Sequence, residues 1–145
     1  MADQTMTESE RQEFLAGLHV GVLGIERLDG PPLVVPVWYS YAPGGDVEVL
    51  TSASSLKGRL AAVAMRASLC AQQEELAYKY VTVEGPIEIV RLDAVASRAA
   101  AEPMAIRYLG EEMGMAYASS SVGPDDILIR LRPARWFSVD YAKPT

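Results

Sequence analysis

The sequence predicts an α+β fold in which six or seven mostly antiparallel strands close into a small barrel flanked by a few helices. Most apolar stretches alternate with polar residues and are joined by short turns rich in Gly and Pro, as antiparallel strands are. Three other stretches carry the start signals or the alanine content of helices. The 145 residues, 50% hydrophobic and 22% charged, can bury one core, so we expect a single domain over residues 1–145.

The first elements are a helix and two strands. Thr7 and Glu10 have the spacing of a capping box, in which each side chain binds a free backbone amide at the start of a helix. Pro36 lies in the second strand and has no N–H for the ladder, which favours an edge strand or a bulge. The predicted ranges are helix Thr7–Leu18, strand His19–Leu28, a turn at 29–32 and strand Leu33–Tyr41.

The rest of the chain continues this alternation. A turn at 43–46 leads into a strand, and a serine-rich corner at 51–55 opens the next helix. Asp93 caps an alanine-rich helical stretch that we expect to break near Pro103 and Gly110. The predicted ranges are strand Val47–Thr51, a helix ending near Met65, and strands Arg66–Gln73, Tyr78–Arg91, Asp126–Leu131 and Arg135–Tyr141, the last two joined by a turn at Pro133.

Composition excludes several classes of function. The net charge of −6 argues against nucleic acid as the main partner. The longest apolar runs, about eight residues, are too short to cross a membrane, and the acidic N-terminus lacks the pattern of a signal peptide, so we expect a cytoplasmic protein. The one cysteine, Cys70, excludes a disulfide framework and is expected to be buried. With one histidine, His19, a His-rich metal site is excluded, and we expect His19 to have a structural or capping role instead of a place in a Ser-His-Asp triad.

The most informative segment runs from Thr51 to Arg59. Hydroxyl side chains cluster at the end of a strand, the next helix offers free N–H groups, and Lys57 and Arg59 follow. This combination of donors, helix dipole and cations is what binds a phosphate monoester. The alternative is a serine-capped helix with two solvated cations. Because helical geometry separates the two cations by about 200°, we expect Lys57 to be the direct phosphate partner.

Two further clusters are rich in aromatic side chains. A flat aromatic cofactor can lie along Val35–Tyr39, where the alternative is ordinary core. The closing segment Arg132–Tyr141 combines aromatic and cationic residues, and we expect its Trp136 at or near a cofactor or a subunit interface. The alternative there is a surface strand.

Four segments together carry a resemblance to a known family. They are FLAGLHVGVLGIERLDGPPLVVPVWYSY, TSASSLKGRL, RASLCAQQEELAYKYVTVEGPIEI and LRPARWFSVDY. In this order and spacing they resemble the pyridoxamine 5'-phosphate oxidase-like family of flavin- and deazaflavin-binding split β-barrels, with Lys57 and Arg59 at the family's basic positions. The resemblance implies a homodimer with FMN or the deazaflavin coenzyme F420 at the subunit interface. It also implies hydride transfer between this cofactor and a small organic substrate.

The resemblance places a cofactor site on named residues of this chain. The chain departs from the family at Ser54 and Ser55, where many relatives have an additional arginine. It also lacks the long C-terminal extension of true pyridoxamine 5'-phosphate oxidases, so that activity is not expected. The absence of Asn and the excess of Arg over Lys indicate a GC-rich genome, which together with the short chain favours F420 over FMN. The expected cofactor-binding residues are Val35, Pro36, Val37, Trp38, Tyr39, Thr51, Ser52, Ser54, Lys57, Arg59, Gln72, Tyr80 and Trp136.

The catalytic groups stay open at this stage. Tyr39, Tyr78, Lys79 and Tyr80 are candidates for a proton source, and the sequence does not rank them. The alternative to an oxidoreductase is a non-catalytic module that holds a flavin or a haem on the same barrel, and haem is disfavoured because His19 is the one histidine. We expect neither a metal nor a nucleic-acid or membrane partner.

Overall fold

The computed structural model describes residues 3–145. This part of the chain has four helices and seven strands, all paired antiparallel, which confirms the predicted α+β class. None of the helices described between residues 3 and 145 is both long and apolar enough to span a membrane. The elements are α1 (Glu8–Ala16), β1 (Gly21–Ile25), β2 (Leu33–Val37), β3 (Val47–Ser52), α2 (Leu56–Ala64), β4 (Arg66–Gln73), β5 (Lys79–Arg91), α3 (Ala94–Leu109), α4 (Glu111–Ser121), β6 (Asp126–Leu131) and β7 (Arg135–Asp140).

The seven strands form one curled sheet. Its hydrogen-bonded order is β2-β1-β4-β5-β6-β3, and β7 pairs with β5 beside this path. The 13-residue β5 produces the curl, because its first half pairs with β4 and β7 while its second half, from Ile87, pairs with β6. A Cβ on Gly85, at the change of partner, would collide with the carbonyl oxygen of Arg132. This close backbone approach requires a glycine.

The strands β2 and β3 are the two ends of the sheet, although they follow one another in the chain. Among the described residues, the pairing between them is an isolated bridge between Ser40 and Glu48. Since β2 otherwise pairs with β1 alone, Pro36 lies in an edge strand, as predicted. The result is a split barrel with an incompletely closed seam between β2 and β3.

The hydrophobic core fills the inside of the curl. Alternate residues of the strands point inward, as the sequence periodicity predicts, and Leu15 of α1 joins them. Burying each Leu, Ile or Val side chain completely contributes about 1.5–3 kcal/mol. The largest fully buried side chains include Tyr39, Leu15, Leu23, Ile25, Leu69, Ile127, Ile129 and Leu131.

Two sequence expectations are wrong. We expected a break near Pro103, but α3 continues through it. Ala101 and Met104, on either side of Pro103, are buried, and packing of α3 against α4 offsets the missing N–H. The break at Gly110, with a φ of +86°, is confirmed. Cys70 is half-buried instead of buried, because it lies on the outer face of the sheet, between its neighbours on β1 and β5.

His19 closes the end of α1, which confirms its predicted structural role. Its Nε2 lies 2.9 Å from the carbonyl oxygen of Phe14, and the two rings stack with their centroids 4.4 Å apart. Burial lowers the pKa of His19 below its ordinary value of 6.5; the hydrogen bond to Phe14 opposes this shift, and the charge of Arg107 adds to it. The neutral ring is therefore the form that the fold favours.

We expect the free energy of unfolding to fall as the pH drops through the window just below 6.5. In that window the unfolded chain binds a proton at His19 that the folded protein does not yet bind. Above pH 6.5 the contribution of the neutral His19 to the free energy of unfolding is fully present. Urea unfolding at about pH 7.5 and 5.5 measures the loss. The control is His19→Gln, which keeps a hydrogen-bond donor but does not titrate. An equal loss in the wild type and in this variant would contradict the assignment.

Candidate functional site

A cavity of about 570 Å³ lies at the seam between β2 and β3 and is bordered by α2, α3 and α4. This volume is in the range of small-molecule sites. Its apolar lining includes Pro36, Val37, Trp38, Ala101, Met104 and Ala105. Its polar lining consists of Thr51, Ser52, Lys57, Tyr117, Ser121 and Asp126. The cavity therefore has one largely apolar wall and one polar end.

The polar end is built on the serine corner, residues 51–55. Ser55 caps α2: its Oγ accepts the N–H of Gly58 at 3.1 Å and donates to the carbonyl of Ser52 at 2.7 Å. The Oγ1 of Thr51 lies 3.0 Å from the Oγ of Ser55. A Cβ on Gly58 would collide with the carbonyl oxygen of Ser52. The first turn of α2 thus lies directly against the serine corner.

Asp125 holds the other side of the serine corner. The Oγ of Ser52 donates to its Oδ2 at 2.9 Å, and the Oγ of Ser54 lies 2.8 Å from the Oγ of Ser52. The backbone N–H of Ala53 donates to the carbonyl of Asp125 at 2.9 Å. Hydrogen bonds from Ser52 and Ser54 hold the pKa of the Asp125 carboxyl below its ordinary value. Asp125 is therefore an anion at neutral pH.

The polar end contains both signs of charge. Lys57 lines the cavity, whereas Arg59 is exposed and does not. Neither cation has an ion-pair partner within residues 3–145. Asp126, only 8% exposed, lines the same cavity and accepts the N–H of Gly123 at 2.9 Å. The sequence pattern predicted the cations but not this carboxylate.

The hairpin formed by α3 and α4 is fixed to the sheet at a few points. The hydroxyl of Tyr108 donates to the carbonyl of His19 at 2.6 Å and accepts the N–H of Tyr39 at 3.1 Å. Arg107 donates to two backbone carbonyls at the end of α1. The ring of Trp38 stacks on Tyr108, with centroids 5.0 Å apart and planes 5° from parallel. These contacts hold the hairpin where it forms one wall of the cavity.

Several of the predicted cofactor-binding residues line the cavity. They are Pro36, Val37, Trp38, Thr51, Ser52 and Lys57. Ser54 bonds to Ser52 outside the lining, and Arg59 is exposed. Val35 and Tyr39 pack in the core, where the hydroxyl of Tyr39 donates to a backbone carbonyl of α1 at 2.6 Å.

The other three predicted residues lie away from the cavity within this chain. Gln72 and Tyr80 face each other across β4 and β5, on the outer face of the sheet. Trp136 packs against the core, edge-on to Tyr41 at 6.2 Å between centroids and beneath the guanidinium of Arg11 at 4.8 Å. These three residues therefore do not contribute to the cavity from their own chain.

Sequence reasoning missed the lining residues of α3, α4 and β6. Met104 and Tyr117 reach the cavity because the helical hairpin packs over Trp38. Asp126 reaches it because β6 pairs with β3 in a register that places Ser52 opposite Asp126. The two aspartates at the start of β6 are visible in the sequence, but the pairing of β6 with the distant strand β3 is not.

The chain is similar to several solved structures. It matches the conserved hypothetical protein Rv2991 from Mycobacterium tuberculosis with a TM-score of 0.80 and 23% identity, over 100% of this chain and 93% of that one. It matches an F420 reductase with a TM-score of 0.68 and 20% identity, over 87% and 94%. A FAD-binding protein from Mesorhizobium loti matches with a TM-score of 0.64 and 20% identity, over 92% and 94%. No family model and no curated protein matches the chain. At these identities the likeness shows the fold, which confirms the expected split barrel.

We expect Tyr108→Phe to lower the free energy of unfolding by about 1–3 kcal/mol, because it leaves a partly buried N–H and a carbonyl without their partner. Urea unfolding of the wild type and the variant measures the change. Tyr117→Phe is the matched control: this hydroxyl belongs to a 49% exposed ring on the same hairpin and makes no side-chain hydrogen bond within residues 3–145. Equal small losses in both variants would show that Tyr108 does not anchor the hairpin.

Proposed function

We propose that residues 1–145 form one split-barrel domain that binds FMN or the deazaflavin coenzyme F420 and works as an oxidoreductase. It transfers a hydride between the bound cofactor and a small organic substrate. The observation that supports this most is that one cavity joins the apolar segment 36–38 to Lys57 and the serine corner. The fold shared with an F420 reductase and a FAD-binding protein agrees with it.

The cavity fits a ligand that combines a flat ring with a phosphate. Residues 36–38 offer the ring an apolar wall. At the start of α2 the N–H groups of Leu56 and Lys57 have no intrahelical partner, while that of Gly58 is taken by Ser55. Together with the Lys57 ammonium, these amides favour an anion at the positive end of the helix dipole.

In this arrangement the cofactor, when bound, supplies the hydride chemistry. Residues 36–38 would orient the ring and exclude water from it, and Lys57 would hold the phosphate by a charge-assisted hydrogen bond. None of the predicted proton donors lines the cavity of the described chain; they are Tyr39, Tyr78, Lys79 and Tyr80. The hydroxyl of Tyr39 is bonded to Leu15, and burial raises the pKa of Tyr39 far above its ordinary value of 10. Tyr39 is therefore a structural residue.

A non-catalytic flavin-binding module on the same barrel is the second candidate. It is favoured by the position of the four predicted proton donors, all away from the cavity in the described residues. Protein loaded with reduced cofactor distinguishes the two: oxidation by an artificial acceptor supports the oxidoreductase, and stable binding without oxidation supports the module. A haem version is disfavoured because the Nε2 of His19 is already bonded to Phe14.

We infer that the functional unit is a homodimer with the cofactor at the subunit interface. The outer face of the sheet, across β2, β1, β4, β5 and β7, exposes apolar side chains such as Val34 (67%) and Phe137 (47%). A second copy packed on this face would bury these apolar side chains. A second copy would cover this face and supply side chains, such as Gln72 and Tyr80, that the cavity does not receive from its own chain.

Lys57→Ala should weaken the binding of FMN or F420 about ten- to a hundredfold, because losing one charge-assisted contact costs about 1.5–3 kcal/mol. Riboflavin, which has no phosphate, should bind almost unchanged. Titrations followed by fluorescence measure the three dissociation constants. Arg59→Ala is the matched control, since this exposed cation lies on the same helix outside the cavity. Equal losses for riboflavin and FMN would mean that Lys57 supports the fold instead of holding a phosphate.

Light scattering should give a mass of about 31 kDa, twice the 15.7 kDa of one chain. Phe137→Asp should shift the protein towards the monomer, because it buries a charge in the proposed interface. Val63→Asp, a change at a 76% exposed position on α2, serves as control and should leave the mass unchanged. A wild-type mass near 16 kDa at micromolar concentration would contradict the homodimer and the shared site.

A further inference from the structure

The hydroxyl groups of the serine corner are bonded within the protein and do not face the cavity as free donors. Ser55 donates its single proton to the carbonyl of Ser52, so Thr51 is the donor in its contact with Ser55. Ser52 donates to Asp125, and the single proton of Ser54 goes either to Ser52 or to Asp125. All four protons are therefore used. A phosphate that enters the cavity accepts a hydrogen bond from one of these four hydroxyls only if an existing hydrogen bond breaks.

Two charged side chains line this end of the cavity, Lys57 of α2 and Asp126 at the start of β6. Asp125 is exposed and does not line the cavity, but it accepts a hydrogen bond from Ser52, which does. The helices α3 and α4 add no charge, because α3 contributes apolar side chains and α4 contributes Tyr117 and Ser121. Arg59 is exposed outside the cavity.

Phosphate monoesters and diesters differ in charge, so these side chains interact with them differently. A phosphate monoester carries about −1.5 to −2 charges near pH 7, because its second pKa is about 6, whereas a diester carries one. Lys57 and the helix dipole of about half a unit neutralise one charge of the ligand and only part of a second. A second charge would also be repelled by the carboxylate of Asp126 in the same cavity. The hydroxyl of Ser52 cannot donate to it, because it already donates to Asp125.

We propose that Asp125 and Asp126 make this site select a singly charged phosphate, as in the phosphodiester of F420, over the doubly charged monoester of FMN. The proposal rests on the proposed function, since it concerns the ligand of the same cavity. Asp125 acts through its charge: it holds the proton of Ser52 in a charge-assisted hydrogen bond, which is stronger than the bond that a neutral Asn would accept. Asp126 acts by repelling the second charge. The lowered pKa of Asp125 agrees with this, because it shows that the serines already stabilise an anion.

The test uses the two charge states of FMN. Dissociation constants of FMN and riboflavin are measured at about pH 5.5 and 7.5, on either side of the second phosphate pKa of about 6. Riboflavin is measured under the same conditions, and its dissociation constants correct for pH effects that do not involve the phosphate. Protonation of His19, which does not line the cavity, is one such effect. F420 is measured beside them at pH 7.5, where its diester carries a single charge.

In the wild type we expect the preference for FMN over riboflavin to fall about three- to tenfold from the lower to the higher pH. Asp125→Asn and Asp126→Asn should each remove most of this fall and strengthen FMN binding at pH 7.5 by about three- to tenfold, without changing riboflavin. Asp125 is exposed, so its variant can be tested even if the change at buried Asp126 disturbs the fold. Asp29→Asn, in an exposed turn away from the cavity, controls for net charge.

The outcomes separate this inference from the proposed function. Binding of all three ligands with a pH-independent FMN preference, unchanged by Asp125→Asn, would overturn the role of the aspartates and leave the cofactor site standing. Failure of riboflavin, FMN and F420 to bind at all would overturn the proposed function, and this inference with it. If Asp29→Asn changed FMN binding as much as Asp125→Asn does, the selection would depend on the net charge of the protein alone. That result would also overturn the inference.

Discussion

The curl of the sheet at β5 is the constraint on which the other features depend. This strand exchanges β4 and β7 for β6 near Gly85, where a neighbouring backbone passes too close for any side chain. Because the sheet turns there, its two ends, β2 and β3, meet. They meet incompletely: the bridge between Ser40 and Glu48 pairs them, and Pro36 has no N–H with which to extend the pairing. The cavity is the space left at this seam, so its position follows from the topology.

The helical hairpin determines how wide that space is. Strands β5 and β6 are neighbours that a short turn could join, but the chain places α3 and α4 between them. The two helices pack tightly on each other, with a Cβ on Gly114 colliding with the backbone of Ile106. Their attachment to the barrel depends on the hydroxyl of Tyr108, the guanidinium of Arg107 and the ring of Trp38. A few directional contacts, more than broad apolar burial, therefore position this wall.

Local patterns in the sequence predicted the elements but only part of the site. The ranges of β4 and β6, the cap on α2 and the edge position of Pro36 are encoded within a few residues, and the structure agrees. Pro103 was misjudged because packing against α4 outweighs the missing hydrogen bond. The presence of Asp126 in the cavity depends on pairing between β3 and β6, a long-range register that alternation alone cannot specify. Tyr117 was missed for the same reason, since it reaches the cavity through tertiary packing.

The serine corner shows why residue type alone overstates the capacity to bind an anion. A hydroxyl contributes to an anion site only if its proton is free, and here Thr51, Ser52, Ser54 and Ser55 form two chains that end on a carbonyl and on Asp125. The donors that remain free beside the serine corner are a pair of amides at the start of α2 and the ammonium of Lys57. These groups attract negative charge through a helix dipole of about half a unit and one cation, and the carboxylate of Asp126 in the same cavity opposes them. The hydroxyls instead fix the loop before β6 against the start of α2, so the corner is rigid before any ligand arrives. Its contribution to binding is therefore the placement of Lys57 and the two amides.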